Sequence, residues 1–453
     1  MVETKIVVLD DDPTGSQTVH GCLLLTRWDV DTLITAFKDS SPLFFVLTNT
    51  RGMAAAQAAE ITREVCRNLR LALQRLQEAG LTFSPIMVSR SDSTLRGHYP
   101  VETDIIAEVM GPFDAHFLIP AFFEGGRITK DGTHYLLVDG VPVPVHETEF
   151  ARDSVFGFKH SYMPDYVEEK TRGRIKAGDV KRFTLDEVRG DCLPQLMLLK
   201  NNHCCVVDCV QQSDLDQFAR QILSATQRGQ RFLFRSGASL LTALAQLPPQ
   251  AVAAESMAEY VRDGKPGAVI VGSHVKKTTA QLGALLKQAA VAPVEVDVTR
   301  IDRDRDSLFA EVMEVVGSAH EAGQTPVIYT SRSEIVFDDQ LSRLQFGERV
   351  SAFLMQVVAN LPPDIGFLIS KGGITSNDVL SSGLALQTSR VLGQILPGCS
   401  VVRCAQDHAR YPHLPVVIFP GNVGDDAALA TVYARLTARR NHGATAIAPA
   451  VSA

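Results

Sequence analysis

The feature that most constrains this chain is a repeated order of three things: a short apolar run, a polar or glycine-rich cluster, then a helical pattern. Lys5–Leu9 (KIVVL), Leu43–Leu47 (LFFVL), Pro85–Val88 (PIMV), His116–Ile119 (HFLI), Cys204–Val210 and Arg231–Phe234 (RFLF) are the apolar runs of the first half. Each has the length and composition of a buried strand. Between the second and third, Ile61, Val65, Leu69, Leu73 and Leu76 recur at intervals of three and four. They make one helix face, closed at Gly80. Strands alternating with helices predict an α/β fold.

The rhythm breaks at Leu247–Gly267, where Pro248, Pro249, Gly264, Pro266 and Gly267 crowd together. It restarts with Ala268–Val271 (AVIV), Val294–Val298, Thr325–Tyr329, Phe367–Ser370 and Val416–Phe419. The expected architecture is two α/β domains with mostly parallel sheets, residues 1–255 and 266–440, with a ligand cleft between them. A length of 453 residues suits two or three domains. Residues 441–453 are small and Ala-rich and read as a disordered tail.

Charge narrows the function. With 44 Lys and Arg against 51 Asp and Glu, the formal net charge is −7. A general nucleic-acid binder would carry a basic footprint, so no nucleic-acid partner is expected; small anions remain acceptable ligands. Eight cysteines are too few for a disulfide scaffold, and Cys204, Cys205 and Cys209 crowd one apolar stretch. Reduced thiols and a cytoplasmic location are the simpler reading. The start MVETKIVVLDDD lacks the apolar centre of a signal peptide, and no run approaches the roughly 18 apolar residues of a spanning helix. No membrane association is expected, and a homo-oligomer is left open.

Active sites of open α/β sheets gather at the carboxyl ends of strands, so the clusters after the runs are the places to search. Asp10-Asp11-Asp12-Pro13-Thr14-Gly15 follows the first run, and three adjacent carboxylates call for a cation or hydroxylic ligand nearby. Thr48–Gly52 follows the second, where Arg51 could clamp a carboxylate or phosphate. Ser89–Gly97 (SRSDSTLRG) follows the third. Its Ser91, Asp92, Ser93, Thr94 and Arg96 are good material for holding a polyhydroxylated anion, and Asp92 could accept a hydroxyl proton. Phe122–His134 forms a flexible turn in which Arg127 or His134 could close over a ligand. His146-Glu147 has no matching ligand set, and the cysteines lack metal-binding spacing.

In the second half, Gly272-Ser273, Lys371–Ser376 (KGGITS) and Pro420–Gly424 (PGNVG) each lie between a strand and a helix. Glycines there let backbone N–H groups approach phosphate. None matches a P-loop or Rossmann pattern. Together they point to a nucleotide-phosphate site.

DDPTG (Asp11–Gly15), TNTR (Thr48–Arg51), SDSTLRG (Ser91–Gly97), IPAFFEGGRIT (Ile119–Thr129), DGTHYL (Asp131–Leu136), VGS (Val271–Ser273), KGGITS and FPGNVG (Phe419–Gly424) come in one order over most of the chain. In that combination the chain resembles the four-carbon acid sugar kinase family. The resemblance implies phosphorylation of threonate, erythronate or a 3-oxo-tetronate at the terminal hydroxyl, with ATP and Mg²⁺ as cofactors. It puts the sugar acid near Asp11, Asp12, Arg51, Asp92, Ser93, Thr94 and Arg96, with Asp12 or Asp92 as the base. It puts ATP near Ser273, Gly372, Gly373, Ile374, Thr375 and Gly421, and leaves the metal ligands unassigned. Pro13 departs from the bulky apolar residue more familiar there. His146–Phe158 is more similar to the threonate and erythronate members. The rival reading is a haloacid-dehalogenase-type phosphatase, with Asp10 as nucleophile, Asp12 as acid/base, and Gly424-Asp425-Asp426 as a late acidic motif. A non-catalytic sugar-acid sensor is a third.

Overall fold

A computed structural model describes residues 3–273, 275–332, 340–421 and 423–438. The expected tail and Asn422 lie outside these. In the first half the strands are β1 (Glu3–Asp10), β2 (Leu23–Leu25), β3 (Leu43–Leu47), β4 (Phe83–Arg90), β5 (Ala115–Ile119), β6 (Arg127–Lys130), β7 (Thr133–Val138), β8 (Val141–Pro144), β9 (Lys181–Phe183), β10 (His203–Val207) and β11 (Phe232–Ser236). In the second they are β12 (Ala268–Val271), β13 (Val291–Val296), β14 (Thr325–Thr330), β15 (Leu368–Lys371), β16 (Thr388–Leu396), β17 (Cys399–Cys404) and β18 (Pro415–Phe419).

The protein is mixed α/β around a large, mostly parallel sheet. The apolar runs are strands because both of their faces are covered: β3, β5, β11, β12, β15 and β18 are buried from end to end. The 24-residue helix Ala55–Glu78 covers one face with Ala58, Val65, Cys66, Leu69, Ala72 and Leu76. That is the three-four spacing read from the sequence, and Gly80 beyond it takes a left-handed φ of 81°.

The two halves do not form separate sheets. Among the described residues fifteen strands make one sheet in the order β13-β14-β12-β15-β18-β17-β16-β2-β3-β1-β4-β11-β5-β10-β9. The join is antiparallel: Thr388, Ser389 and Arg390 of β16 pair with Leu25, Leu24 and Leu23 of β2. Arg390 also grips Asp39 bidentately at 2.9 and 2.6 Å. Met257 and Val261, in the proline-rich stretch between the halves, pack with Leu429 and Val432 of the C-terminal helix.

This join positions the site. Because this join, the β16–β17 hairpin and the antiparallel β17–β18 pairing each reverse strand direction, three reversals in all, the parallel strands of the two halves run oppositely along the sheet. Six strand steps separate β1 from β15. At roughly 20–25° of twist per step the sheet turns about 120–150°, and register shifts in β16 mark bulges that add twist. The carboxyl ends of β1 and β15 thereby come to the same side of the molecule.

Candidate active site

At the end of β1, Asp11 is almost fully buried. Arg51 donates to it from Nη2 at 2.5 Å and Nε at 3.2 Å, and Ser91 Oγ donates at 2.7 Å. The same guanidinium reaches Asp12 Oδ2 at 3.2 Å. Asp12 Oδ1 accepts from the backbone N–H of Thr14 at 2.8 Å and from its hydroxyl. Burial alone would raise the Asp12 pKa, but Arg51 and the two Thr14 bonds outweigh it and hold the carboxyl below its usual range.

Asp92 accepts from Arg96 Nε at 2.6 Å and from the Thr94 hydroxyl. Its pKa likewise lies well below normal: burial opposes this, and Arg51 and Arg96 overcome it. Arg96 lies 3.7 Å from Asp153 and stacks over Phe150 at 5.0 Å.

The structure brings all the predicted acid-site residues together but gives them unequal parts. Arg51, Arg96, Asp12 and Asp92 keep partly exposed side chains. Ser91, Asp11 and Thr94 are buried and spent on internal bonds; they shape the site and do not line it. Ser93 is buried, and its carbonyl accepts from His134. His134 is no ligand-closing residue. It is fully buried in β7, bonded to Thr129 and Ser93, and burial pushes its pKa down to about 4. The glycine-rich segment expected to be a flexible turn is the hairpin β6–β7, extended by β8.

Two residues that sequence reading passed over, Arg235 and Glu102, complete the cluster together with Arg90 of the SRSDSTLRG segment. Arg235 on β11 donates to Ser91 Oγ at 3.1 Å and the Arg96 carbonyl at 3.0 Å. Arg90 is buried beside Asp10. Glu102 accepts from Thr50 Oγ1 at 2.5 Å, and burial next to Asp11 lifts its pKa to about 7. Asp10 itself is sealed. It has no exposed surface, its Oδ2 has no hydrogen-bond partner among the described residues, and burial raises its pKa to about 8. A Cβ on Gly15 would stand 1.9 Å from that oxygen, so the DDPTG loop closes directly over it. A nucleophile must reach its phosphorus atom, and Asp10 cannot. Five guanidinia, Arg51, Arg90, Arg96, Arg127 and Arg235, thus gather around the carboxyl groups of Asp11, Asp12, Asp92, Glu102, Glu149 and Asp153, with burial pushing Asp10 toward its protonated form.

In the second half, β12, β15 and β18 are neighbours, and their ends converge. Thr278 Oγ1 donates to Ser273 Oγ at 3.3 Å and to the Gly421 carbonyl at 3.2 Å. Gly372 has φ 122°, outside the ordinary range of other residues, and a Cβ there would press on Thr375 and Ser273 at 3.1 and 3.3 Å. Lys371 is fully buried and donates to the Pro420 and Gly421 carbonyls at 2.5 and 3.1 Å, so it braces the loops from beneath. Burial lowers its pKa to about 8. Ile374 is exposed, and among the described residues only Ser273 Oγ, at 3.8 Å, lies within 4 Å of where a Gly421 Cβ would be.

The two sets of loops meet. A Cβ on Gly373 would lie 3.9 Å from Asp12 Oδ2. Alongside, a cavity of about 580 Å³ separates Phe122, Glu124 and Arg127 from Pro397, Gly398 and Asp425. Gln394 bridges the halves to Gln17 and to Glu124, the latter at 2.9 Å. Among the described residues no group of three or more His, Cys, Asp or Glu is arranged to hold a metal ion, His146 and Glu147 included. All eight cysteines are buried and unpaired, and no described helix is long and apolar enough to cross a membrane.

A carboxylate–guanidinium cluster facing glycine-lined loops across a two-part α/β structure defines a two-substrate group-transfer enzyme. Comparison with known proteins makes the class specific. The family described as a sugar-binding N-terminal domain matches residues 6–244, and the nucleotide-binding C-terminal domain matches residues 268–429. The chain belongs to the four-carbon acid sugar kinase family, and it is a phosphotransferase with an alcohol group as acceptor. It is 25% identical over 450 residues to a D-erythronate kinase of Heliobacterium modesticaldum, covering 94% of this chain and 96% of that one. It is 33% identical over 168 residues to a D-threonate kinase of Bordetella bronchiseptica, covering 35% and 38%. The fold is shared with two solved structures at 17% identity. One is Haemophilus influenzae protein HI1011 (TM-score 0.63, covering 95% of this chain and 100% of that one). The other is described as a putative tRNA synthase from Salmonella typhimurium (TM-score 0.66, covering 95% and 98%).

Proposed function

We propose that the enzyme transfers the terminal phosphoryl group of ATP to the C4 hydroxyl of a four-carbon sugar acid: threonate, erythronate or a 3-oxo-tetronate. The observation that carries this reading is the approach of Asp12 to Gly373. A deprotonated carboxylate of the acid site adjoins the loop best suited to phosphate. The names of the two kinase relatives support the class of acid.

Residues 1–255 hold the acid in this reading, and residues 266–440 the nucleotide. Arg96, with Arg127 beside it, pairs with the substrate carboxylate at one end of the molecule. Asp92 accepts hydrogen bonds from its hydroxyls. That leaves the terminal hydroxyl directed at Asp12, which accepts its proton. A low pKa does not disqualify Asp12, because little proton transfer is needed in a loose phosphoryl-transfer transition state. Arg51 and Thr14 hold Asp12 in place. The loops fit a triphosphate: Gly373 and Gly421 leave the backbone open, and Ser273 and Thr375 add hydroxyls. When bound, ATP supplies the phosphoryl group, and Mg²⁺ neutralises charge on it. The test is ADP release over a panel of threonates, erythronates and their 3-oxo forms. Release that depends on one of these acids is expected. Phosphate release from phosphoesters without ATP, or binding without turnover, would overturn the assignment.

A further inference from the structure

Lys5, Lys371, Arg235 and Arg90 are the lysines and arginines buried among the described residues. Three of them have acceptors. Lys5 Nζ donates to the Asp39 and Ser41 carbonyls, both at 2.7 Å, Lys371 to the Pro420 and Gly421 carbonyls, and Arg235 to Ser91 Oγ and the Arg96 carbonyl. Arg90 is the exception. It is 4% exposed, its Nε is enclosed without a partner, and among the described residues its guanidinium makes no hydrogen bond or ion pair. We propose that Arg90 is a catalytic residue whose guanidinium receives oxygens of the phosphoryl group as it passes from ATP to the sugar acid. The inference rests on the phosphoryl-transfer reading above and deepens it.

Three observations carry it. The first is the unmet charge. Buried polar groups are almost always hydrogen-bonded, and a buried cation without an acceptor is destabilising. Asp10, its register partner on β1, does not meet the need. Burial drives Asp10 toward its protonated form, and its Oδ2 is itself without a partner. The other arginines of the cluster are engaged: Arg51 by Asp11 and Asp12, Arg96 by Asp92, Arg127 by the Gly125 carbonyl at 2.6 Å, and Arg235 as above.

The second is position. Arg90 ends β4 and pairs in register with Asp10 of β1 and Ser236 of β11, so the three stand side by side at the carboxyl ends of their strands. Ser236 Oγ also lacks a partner among the described residues. The Arg90 carbonyl accepts from the Asp11 N–H at 3.2 Å, and Asp12 follows directly. The guanidinium is close enough to act on Asp12: burial works against the ionised carboxyl, and Arg51, the Thr14 bonds and Arg90 overcome it. Asp12 Oδ2 is the atom that approaches Gly373. Arg90 therefore adjoins the place where the two sets of loops meet.

The third is the chemistry required there. In a loose phosphoryl-transfer transition state, negative charge spreads over the equatorial oxygens, and a guanidinium fork matches such oxygens. The sugar-acid carboxylate already has Arg96 and Arg127 in this reading. An oxyanion arriving at Asp12 finds Arg51 bonded to two carboxylates, and Arg90 with its donors unspent. An enclosed donor that meets its acceptor only in the assembled complex stabilises the transition state more than either bound substrate.

The experiment is steady-state kinetics and thermal unfolding of Arg90→Met, which keeps the bulk and removes the charge. Its kcat should fall at least about a hundredfold, the low end for losing one charge-stabilising donor. The KM values for the acid and for ATP should stay within about threefold, the signature of an interaction made only in the transition state. The melting temperature should equal or exceed that of the wild type, because an unpaired buried charge is gone. ADP, the acid and fluoroaluminate, a mimic of a phosphoryl group in transit, should inhibit the wild type at least about a hundredfold more tightly than the variant. A kcat loss below about tenfold overturns the proposal. So does a raised acid KM in place of a kcat loss, which would assign the guanidinium to the substrate carboxylate. If Arg90→Met does not fold, Arg90→Lys decides, since it keeps the charge without the fork. A loss of at least about tenfold in its kcat with unchanged KM values supports the proposal, and wild-type kcat overturns it. A wild type that releases no ADP with any four-carbon acid overturns the ATP reading and this inference with it; every other contrary result overturns the role of Arg90 alone.

Discussion

Replacing Asp10 by Asn tests the electrostatic account of the site most sharply, because the buried acid group at the end of β1, beneath the DDPTG loop, is expected to be dispensable. Asp10 is fully buried, and burial lifts its pKa from 3.8 to about 8. The folded protein therefore holds a proton that the unfolded chain releases above about pH 4. Stability falls with pH wherever the folded state binds more protons. The penalty is absent below the unfolded pKa, grows by about 1.4 kcal/mol per pH unit, and levels off once pH passes the folded value. Asparagine has the shape of the protonated acid and no titration. Asp10→Asn should therefore gain stability relative to the wild type steadily from pH 5 to pH 8, a difference of ~2–4 kcal/mol over that interval. Urea unfolding at pH 5, 6, 7 and 8 measures it. Activity should stay within about tenfold, a barrier change near 1.4 kcal/mol. A stability difference that is flat in pH would refute the buried-acid argument. A dead variant, with a phosphoaspartyl adduct on the wild type, would refute the kinase reading.

Asp12→Asn should cost at least about a hundredfold in kcat, the low end for removing a general base, and single-turnover kinetics should place the loss in phosphoryl transfer and not in binding. Arg96→Ala should raise the KM for the sugar acid by about 10- to 150-fold, as expected for losing a charge-assisted bond of roughly 1.5–3 kcal/mol, with the ATP KM nearly unchanged. Gly373→Val would place its side chain toward Asp12 in the gap between the two sets of loops; kcat should collapse, while the melting temperature stays near that of the wild type.

Much of the fold was legible because the parallel strands are buried on both faces, so their sequences are unbroken apolar runs, as in LFFVL and AVIV. The strands that escaped notice carry other signals. Thr388–Leu396 alternates buried and half-exposed residues and contains Gly393 and Gln394; it reads as a loop until β2 and β17 pair with it. One continuous sheet, and with it the meeting of Asp12 and Gly373, follows from that pairing. No local pattern reports it.

The site was legible in part for a related reason. Clusters after strands bring several polar groups into one short segment, as SDSTLRG does. Arg235 and Glu102 reach the same place singly, from an apolar strand and from a helix, and only three-dimensional proximity reveals them. Nor does sequence separate a residue that lines a site from one that supports it. Ser91 and Arg96 look equally functional in SDSTLRG, but Ser91 Oγ is consumed by Asp11 and the Arg96 carbonyl. His134, within a glycine-rich segment, looked mobile and belongs to the core.

The most direct test of the central claim is the position of the phosphate on the product. Incubation with Mg²⁺-ATP and the preferred four-carbon acid, followed by ³¹P–¹H correlation, should show one phosphomonoester on the C4 oxygen, formed in equal amount with ADP. Phosphate on an inner hydroxyl or on the carboxylate, or ADP accompanied only by free phosphate, would contradict the account.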